Sequence, residues 1–304
     1  MKKNSRIYVA GHTGFIGGAL IRRLKKLGYN NLIFKTHKEL DLTNQAKTEK
    51  LFKKSRPEYV FLLAAKVGGI HANNTYPADF IYQNTAIQSN VINAAYKFGV
   101  KKLLFPGSAC MYPKLCPQPI KEEYLLTGAI EPTNEPFAVA KIAGVKMCQS
   151  YNRQYKSDFI CVVPATVYGS RDHFDLNGHV MAALIEKFHE EEVRIWGTGK
   201  PKREFIFIDD TVEALIFLMK NYSGNEIINI GTGAEISIAG LARKINEIVS
   251  FKGNVYYDKS KPDGIPRRLL DSTKLLNMGW MPKVDLKEGI KLTCEWYISN
   301  VKKI

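Results

Sequence analysis

Three glycines at intervals of three, in Gly11-His12-Thr13-Gly14-Phe15-Ile16-Gly17, stand between the apolar run Ile7–Ala10 and an amphipathic stretch. Glycine permits a tight turn and close backbone approach there, and the start of the following helix offers N–H groups and a positive dipole end to a pyrophosphate. Strand, spacing and helix coincide, so Gly11, Thr13, Gly14, Phe15, Ile16 and Gly17 read as a dinucleotide cradle rather than a glycine-containing turn. The second apolar run ends in Phe34-Lys35-Thr36-His37-Lys38. An acid at that place would bond the ribose diol of NAD and repel a 2′-phosphate, whereas the cations Lys35, His37 and Lys38 favour NADP(H). The alternative is a solvated basic turn. Asp41 and Leu42 suit the adenine edge.

These residues need a frame, and the first half of the chain supplies one. Apolar runs alternate with amphipathic stretches: Ile7–Ala10 then Phe15–Leu27, Asn31–Phe34 then Gln45–Lys54, Tyr59–Ala64 then Phe80–Phe98, Leu103–Phe105 then Pro136–Tyr155. This is how a parallel sheet covered by helices reads, and a doubly wound, Rossmann-type α/β fold follows. Phe159–Val163 and Ile227–Ile230 continue the core strands, with helix-like Val180–Glu190 and strand-like Val193–Trp196 between them. From Ile236 come a helix (Ile238–Val249), a strand (Gly253–Tyr257), a loop (Lys259–Arg268) and a closing helix (Leu286–Val301), a smaller C-terminal α/β lid.

With 304 residues, 45% of them hydrophobic and 24% charged, the chain is neither disordered nor collagen-like. No run reaches the roughly 18 uncharged apolar residues of a membrane span, and Met1-Lys2-Lys3 leads into a strand instead of a signal core, so a cytoplasmic protein with no membrane partner is expected. Cys110, Cys116, Cys148, Cys161 and Cys294 lack metal-ligand spacing, which predicts thiols and no metal. The net charge of +15 is spread along the chain without a nucleic-acid-binding signature, so small phosphate-bearing ligands fit better than nucleic acid.

Gly107-Ser108-Ala109-Cys110 follows the fourth run, and Phe137-Ala138-Val139-Ala140-Lys141 opens the next helix. With the GxxGxxG spacing, this resembles the short-chain dehydrogenases/reductases. There a Ser polarises the substrate carbonyl, a Tyr hands it a proton, and a Lys four residues on lowers the Tyr pKa and holds the nicotinamide ribose. A spacing of four keeps the last two on one helix face. Phe137 stands where that Tyr belongs.

Longer strings narrow the resemblance: Ala65–Ile70, Asn73–Asn84, Glu131–Pro136, Ser150–Tyr155, Trp196–Gly199, Arg203-Glu204-Phe205 and Ser260–Gly264. Nearly the whole chain resembles the GDP-L-fucose synthases, bifunctional GDP-4-keto-6-deoxy-D-mannose 3,5-epimerase-4-reductases of the extended short-chain family. The resemblance implies Ser108, beside Ala109, as hydrogen-bond donor to the carbonyl, Lys141 as cofactor and pKa residue, and Cys110 with His179 as the base and acid of epimerisation. It implies further NADP(H) contacts at Ala64, Ala65, Pro164 and His179. For a GDP-linked 4-keto-sugar it implies Val180, Trp196, Lys202, Arg203, Arg267, Arg268 and Asp271. It also implies a homodimer through Phe80–Phe98 and Pro136–Tyr155. The expected domains are 1–168 with about 204–233 for NADP, and about 169–203 with 234–304 for the nucleotide sugar. Without the family, Cys110 reads as a small buried hydrophobe and His179 as a helix-start residue.

Three departures from the family pattern bear on function. Phe137 removes the proton-donating hydroxyl and predicts an inactivated reductase. Thr13 replaces an Arg for the 2′-phosphate, and Thr166 replaces an Asn at the substrate wall. The leading expectation is an NADPH-dependent epimerase/reductase making GDP-L-fucose or a close analogue. Thr166 and a shortened Arg171–Asn177 loop point to the alternative, a C4-reductase of a GDP-4-keto-heptose for capsule or lipopolysaccharide synthesis. A third reading is a non-catalytic pseudoenzyme that binds both ligands. A 4,6-dehydratase would want carboxylates beside Ser108, where Ala109 and Cys110 stand.

Overall fold

Ile7–Ala10 (β1) is apolar on both sides and buried throughout, as a strand covered on both faces requires. The computed structural model describes residues 1–174, 178–190, 192–261 and 263–302. Residues 175–177 of the Arg171–Asn177 loop, and Pro262 within Ser260–Gly264 and the Lys259–Arg268 loop, lie outside the described residues. After β1 come α1 (Phe15–Lys26), β2 (Leu32–Ile33), α2 (Gln45–Ser55), β3 (Tyr59–Leu62), α3 (Ile70–Thr75), α4 (Pro77–Lys97), β4 (Lys102–Pro106), α5 (Glu135–Tyr155), β5 (Phe159–Pro164) and β6 (Thr166–Tyr168). The chain continues through α6 (Val180–Lys187), β7 (Val193–Trp196), β8 (Lys202–Phe207), α7 (Ile208–Asn221), β9 (Ile227–Ile230), β10 (Glu235–Ser237), α8 (Ile238–Val249), β11 (Val255–Asp258), β12 (Arg267–Arg268), α9 (Thr273–Asn277) and α10 (Leu286–Asn300).

A six-stranded sheet in the order β2-β1-β3-β4-β5-β9 is the doubly wound arrangement that the alternating pattern predicts, with β1–β2, β1–β3, β3–β4 and β4–β5 all parallel. Two further sheets are smaller. One runs β10-β8-β12 with β6 also on β8, and the other pairs β11 with β7.

The chain divides into two units, Met1–Met111 with Pro132–Val163 and Val212–Ile228, and Tyr112–Glu131 with Pro164–Thr211 and Asn229–Ile304. This differs from the division expected from sequence, because 112–131, 164–168, 204–211 and 229–233 go with the second unit. Asn229 is the reason for part of it. Its Nδ2 donates to Ile120 O at 2.9 Å and Asp271 O at 3.1 Å, its Oδ1 accepts from Tyr112, and its N–H reaches Glu122. Other corrections are local. The second strand contracts to Leu32–Ile33, the Val180–Glu190 helix ends at Lys187, and Arg267–Arg268 at the end of the Lys259–Arg268 loop is a strand.

Within the first unit the helix α5 is fixed closely. Gly144 faces Phe105 of β4, where an added Cβ would come within 2.5 Å of the ring. Gln88 of α4 donates to Ala140 O at 2.5 Å, and Tyr151 to Asn93 at 2.8 Å.

Candidate active site

In the first unit the glycine loop has the geometry a pyrophosphate needs. Gly11 adopts φ +85°, a left-handed conformation suited to glycine, and a Cβ there would sit 2.6 Å from Ala64 N. A Cβ on Gly17 would collide with the Gly11 carbonyl. Gly14 caps α1 without a side chain, no acid occupies the first turn, and Arg23, Lys25 and Lys26 close the last one. Thr13 and Gly14 are exposed, Phe15 and Ile16 half-buried, so the start of α1 is open to an anion. Ala64 and Ala65 follow β3 opposite this turn, and Pro164 ends β5.

At the end of β2 the cations are not alone. Glu39 accepts Lys35 Nζ at 2.8 Å, Thr36 N at 2.8 Å and Thr36 Oγ1 at 2.9 Å, and these partners hold its carboxyl down at about 2. An acid therefore does follow the second strand, one residue beyond the stretch read for cofactor choice, and it engages Lys35. His37 and Lys38 are exposed. Asp41 is occupied with Thr43, whose N–H and hydroxyl hold its carboxyl below the usual range, while Leu42 is buried with its carbonyl taken by Asn90.

Ser108, Cys110, Phe137 and Lys141 come together at the ends of β4 and α5. A 3-10 turn over Ala109–Met111 brings Cys110 Sγ back to donate to Ser108 Oγ at 3.1 Å. Lys141 is 5% exposed, donates to Pro106 O at 3.0 Å and lies 4.7 Å from the Phe105 ring centroid and 5.8 Å from that of Phe137. Burial pushes its ammonium down to about 8, with Cys110 opposing. Phe137 meets Phe80 edge to face at 6.3 Å. Behind them Asn84 clamps Lys66, accepting its N–H at 2.9 Å and donating to its carbonyl at 3.0 Å. Asn73 of α3 donates to Gly68 O and Gly69 O, so the loop after β3 is braced from α3 as well as from Asn84 of α4.

The second unit carries the cations. Parallel pairing of β12 with β8 sets Arg268 opposite Arg203 and Arg267 opposite Lys202. Arg203 donates to Lys202 O and Ile265 O, and burial with the Arg268 charge pushes it down to about 10. Two adjacent guanidiniums in a half-dry place favour an anion between them. Lys202 and Arg267, by contrast, share Glu235 at 3.1 and 2.7 Å. Trp196 is 61% exposed at the end of β7. His179 is the exposed cap residue of α6, Val180 its first residue, and Asp271 accepts from Thr273.

The NAD dependent epimerase/dehydratase family model matches residues 7–231. The chain belongs to that family. Within it, GDP-L-fucose synthase 1 of Arabidopsis thaliana is 54% identical over 98% of this chain and 95% of its own length. Two solved structures from Campylobacter jejuni superpose closely. A GDP-6-OMe-4-keto-L-xylo-heptose reductase has a TM-score of 0.94 at 41% identity, covering 98% of this chain and 99% of its own. A GDP-mannoheptose C4 reductase with NADP bound has a TM-score of 0.90 at 44% identity, again covering 98% and 99%.

For a member of the epimerase/dehydratase family, sequence reading passed over several residues that the geometry brings forward. Lys187 and Lys261 flank Trp196 at 5.7 and 5.9 Å, and Lys187 is half-buried with its pKa lowered by that burial. Glu39 stands four residues from Lys35, a helical spacing that signals a pair, and Glu235 meets Lys202 only across β10 and β8.

Proposed function

We propose that this chain is an NADPH-dependent epimerase/reductase of a GDP-4-keto-6-deoxy-sugar. The observation that carries the reading is the 3.1 Å contact between Cys110 and Ser108. A serine that binds a ketone oxygen holds the neighbouring carbons within reach of that thiol, and C–H bonds beside a ketone are acidic enough to be exchanged. Ser108 donates to the C4 ketone oxygen. Cys110 removes a proton from C3 or C5 as its thiolate, and His179 is the acid that returns one. The Gly11–Gly17 loop and Lys141 hold the cofactor, and Arg203 and Arg268 hold the diphosphate. When bound, the reduced nicotinamide supplies hydride to C4. As charge develops on the ketone oxygen, Ser108 and the Lys141 ammonium meet it, directly or through water, because Phe137 has no proton to give.

The test is deuterium incorporation. With GDP-4-keto-6-deoxy-mannose in D₂O and no NADPH, label enters C3 or C5, and Cys110→Ser abolishes it. A parent protein that incorporates none favours the second reading, a C4-reductase of a GDP-4-keto-heptose. That reading draws support from the two heptose reductases at 41% and 44% identity and from Thr166 on β6. Mass spectrometry of products from both keto-sugars separates the two.

The protein works in a reducing compartment, the cytoplasm, where its five cysteines remain thiols. Among the described residues no helix is long and apolar enough to cross a membrane. It pairs as a homodimer through α4 and α5, whose Ile81, Tyr82, Tyr96, Val139 and Tyr155 are exposed. Light scattering of the parent against Tyr82→Asp tests this, with a dimer expected only for the parent.

A further inference from the structure

Glu204 stands beside Arg203 on β8, is 2% exposed and has no task in the reaction above. A carboxylate is costly to bury unless its oxygens are bonded, and here both are. Oε1 accepts the backbone N–H groups of Thr232 and Gly233, each at 2.7 Å, and Oε2 accepts that of Leu270 at 2.9 Å. Burial raises the carboxyl, and these backbone bonds oppose the rise. The fit is close, since a Cβ on Gly231 would collide with Oε1. The donors come from both sides of β8. Thr232 and Gly233 lead from β9 into β10, which pairs with one edge of β8, and Leu270 follows β12, which pairs with the other. That second pairing spans only Arg267 and Arg268. Beyond it, Leu269 N donates to Gln118 Oε1 at 2.9 Å and Asp271 N to Ile120 O at 2.8 Å, while the Leu270 bond returns the stretch to β8 itself. Successive side chains on a strand take opposite faces, so the Glu204 charge is taken by backbone N–H groups while Arg203 donates to the Lys202 and Ile265 carbonyls.

We infer that Glu204 is the positioning residue of the diphosphate-binding pair, tying β12 to β8 through Leu270 so that the Arg203 and Arg268 guanidiniums keep a fixed separation. The inference rests on the role proposed above for the two arginines. An amide cannot replace the carboxylate, because it has one accepting oxygen and its NH₂ would face an N–H donor. Glutamine at 204 therefore keeps the Thr232 and Gly233 bonds and loses that of Leu270.

The experiment uses the full chain with ¹⁵N-labelled arginine, the Nε–H signals of Arg203 and Arg268 being assigned by their loss in Arg203→Lys and Arg268→Lys. Glu204→Gln moves both signals and weakens GDP about tenfold by calorimetry, the scale of one charge-assisted hydrogen bond, with NADPH affinity unchanged. In a chain already carrying Arg203→Ala and Arg268→Ala, Glu204→Gln changes GDP affinity by less than about twofold, since residues acting through one another are not additive. Gly231→Ala crowds the same carboxylate with its charge intact; it gives the same two changes and serves where Glu204→Gln does not fold. Unmoved arginine signals in folded Glu204→Gln overturn the assignment. So does a GDP affinity that Arg203→Ala weakens and Glu204→Gln leaves alone, a full tenfold loss in the chain lacking both arginines, or NADPH affinity falling in step with that for GDP. Arginine signals that move in a protein whose GDP affinity depends on neither arginine support the positioning and overturn the diphosphate reading alone.

Discussion

Lys141 is a buried cation and Arg203 a half-buried one, yet desolvation does different things to them. Lys141 is pushed down to about 8, within reach of physiological pH, beside a thiol and a hydroxyl. Arg203 is pushed down only to about 10 and keeps its proton, beside a second guanidinium. One environment leaves a group that can gain and lose charge near neutral pH, and the other leaves a permanent cation whose charge suits an anion. The same desolvation therefore separates chemistry from binding through the choice of side chain.

That contrast is tested hardest at Phe137. Restoring the hydroxyl with Phe137→Tyr is expected to raise kcat for reduction by about 10²–10⁴-fold, since positioned proton donors contribute that much. The Kd for the nucleotide sugar should change by less than about tenfold, one hydrogen bond being worth on the order of 1 kcal/mol. Parallel kcat and Kd measurements decide it, and a kcat gain below tenfold removes position 137 from proton transfer. Arg203→Ala should act the other way, weakening nucleotide-sugar binding about 10- to 100-fold through the loss of a charge-assisted hydrogen bond. Deuterium exchange at saturating substrate should be kept, and Arg203→Lys should recover little because the fork geometry is lost. Calorimetry measures both.

The pH profile sharpens the same point. Lys141 has its folded pKa lowered, so it is an ammonium below about 8 and neutral above. Reduction by the Phe137 protein should fall as pH rises through that value, by about tenfold per unit once neutral. Lys141→Arg, which cannot deprotonate there, should show no such fall. The smallest effect is expected at Glu39. Releasing Lys35 with Glu39→Gln should tighten NADPH a few-fold at low salt, the scale of an exposed ion pair, and less at high salt. Fluorescence titration reads it, and NADPH affinity unchanged at every salt concentration would show that Lys35 does not serve the 2′-phosphate.

Much of the frame was legible from residue patterns. β1 and β9 carry uninterrupted buried runs and were placed to the residue, because a strand covered on both faces tolerates nothing else. β8 and α7 were missed as elements. Phe207 ends the strand and Ile208 begins the helix with no Gly or Pro between, so the period changes without punctuation. The tie of 112–131 to the second unit was illegible for another reason. It depends on the side chain of Asn229 and on backbone bonds from Ile120 to Leu269 and Asp271, partners all more than a hundred positions away in sequence. In the site, Ser108, Phe137 and Lys141 follow from spacing, whereas Glu235 depends on sheet register.

At Gly144 a single hydrogen atom sets the height of a helix above a sheet. Phe105 touches that spot from β4, and Lys141, one turn earlier, reaches back to Pro106 on the same strand. A methyl group at 144 would lift α5 like a shim under one end of a lever. The ammonium would then swing off the Pro106 carbonyl and away from Ser108 together. Such a change would first be felt as a misaligned reaction, in a protein whose core still holds.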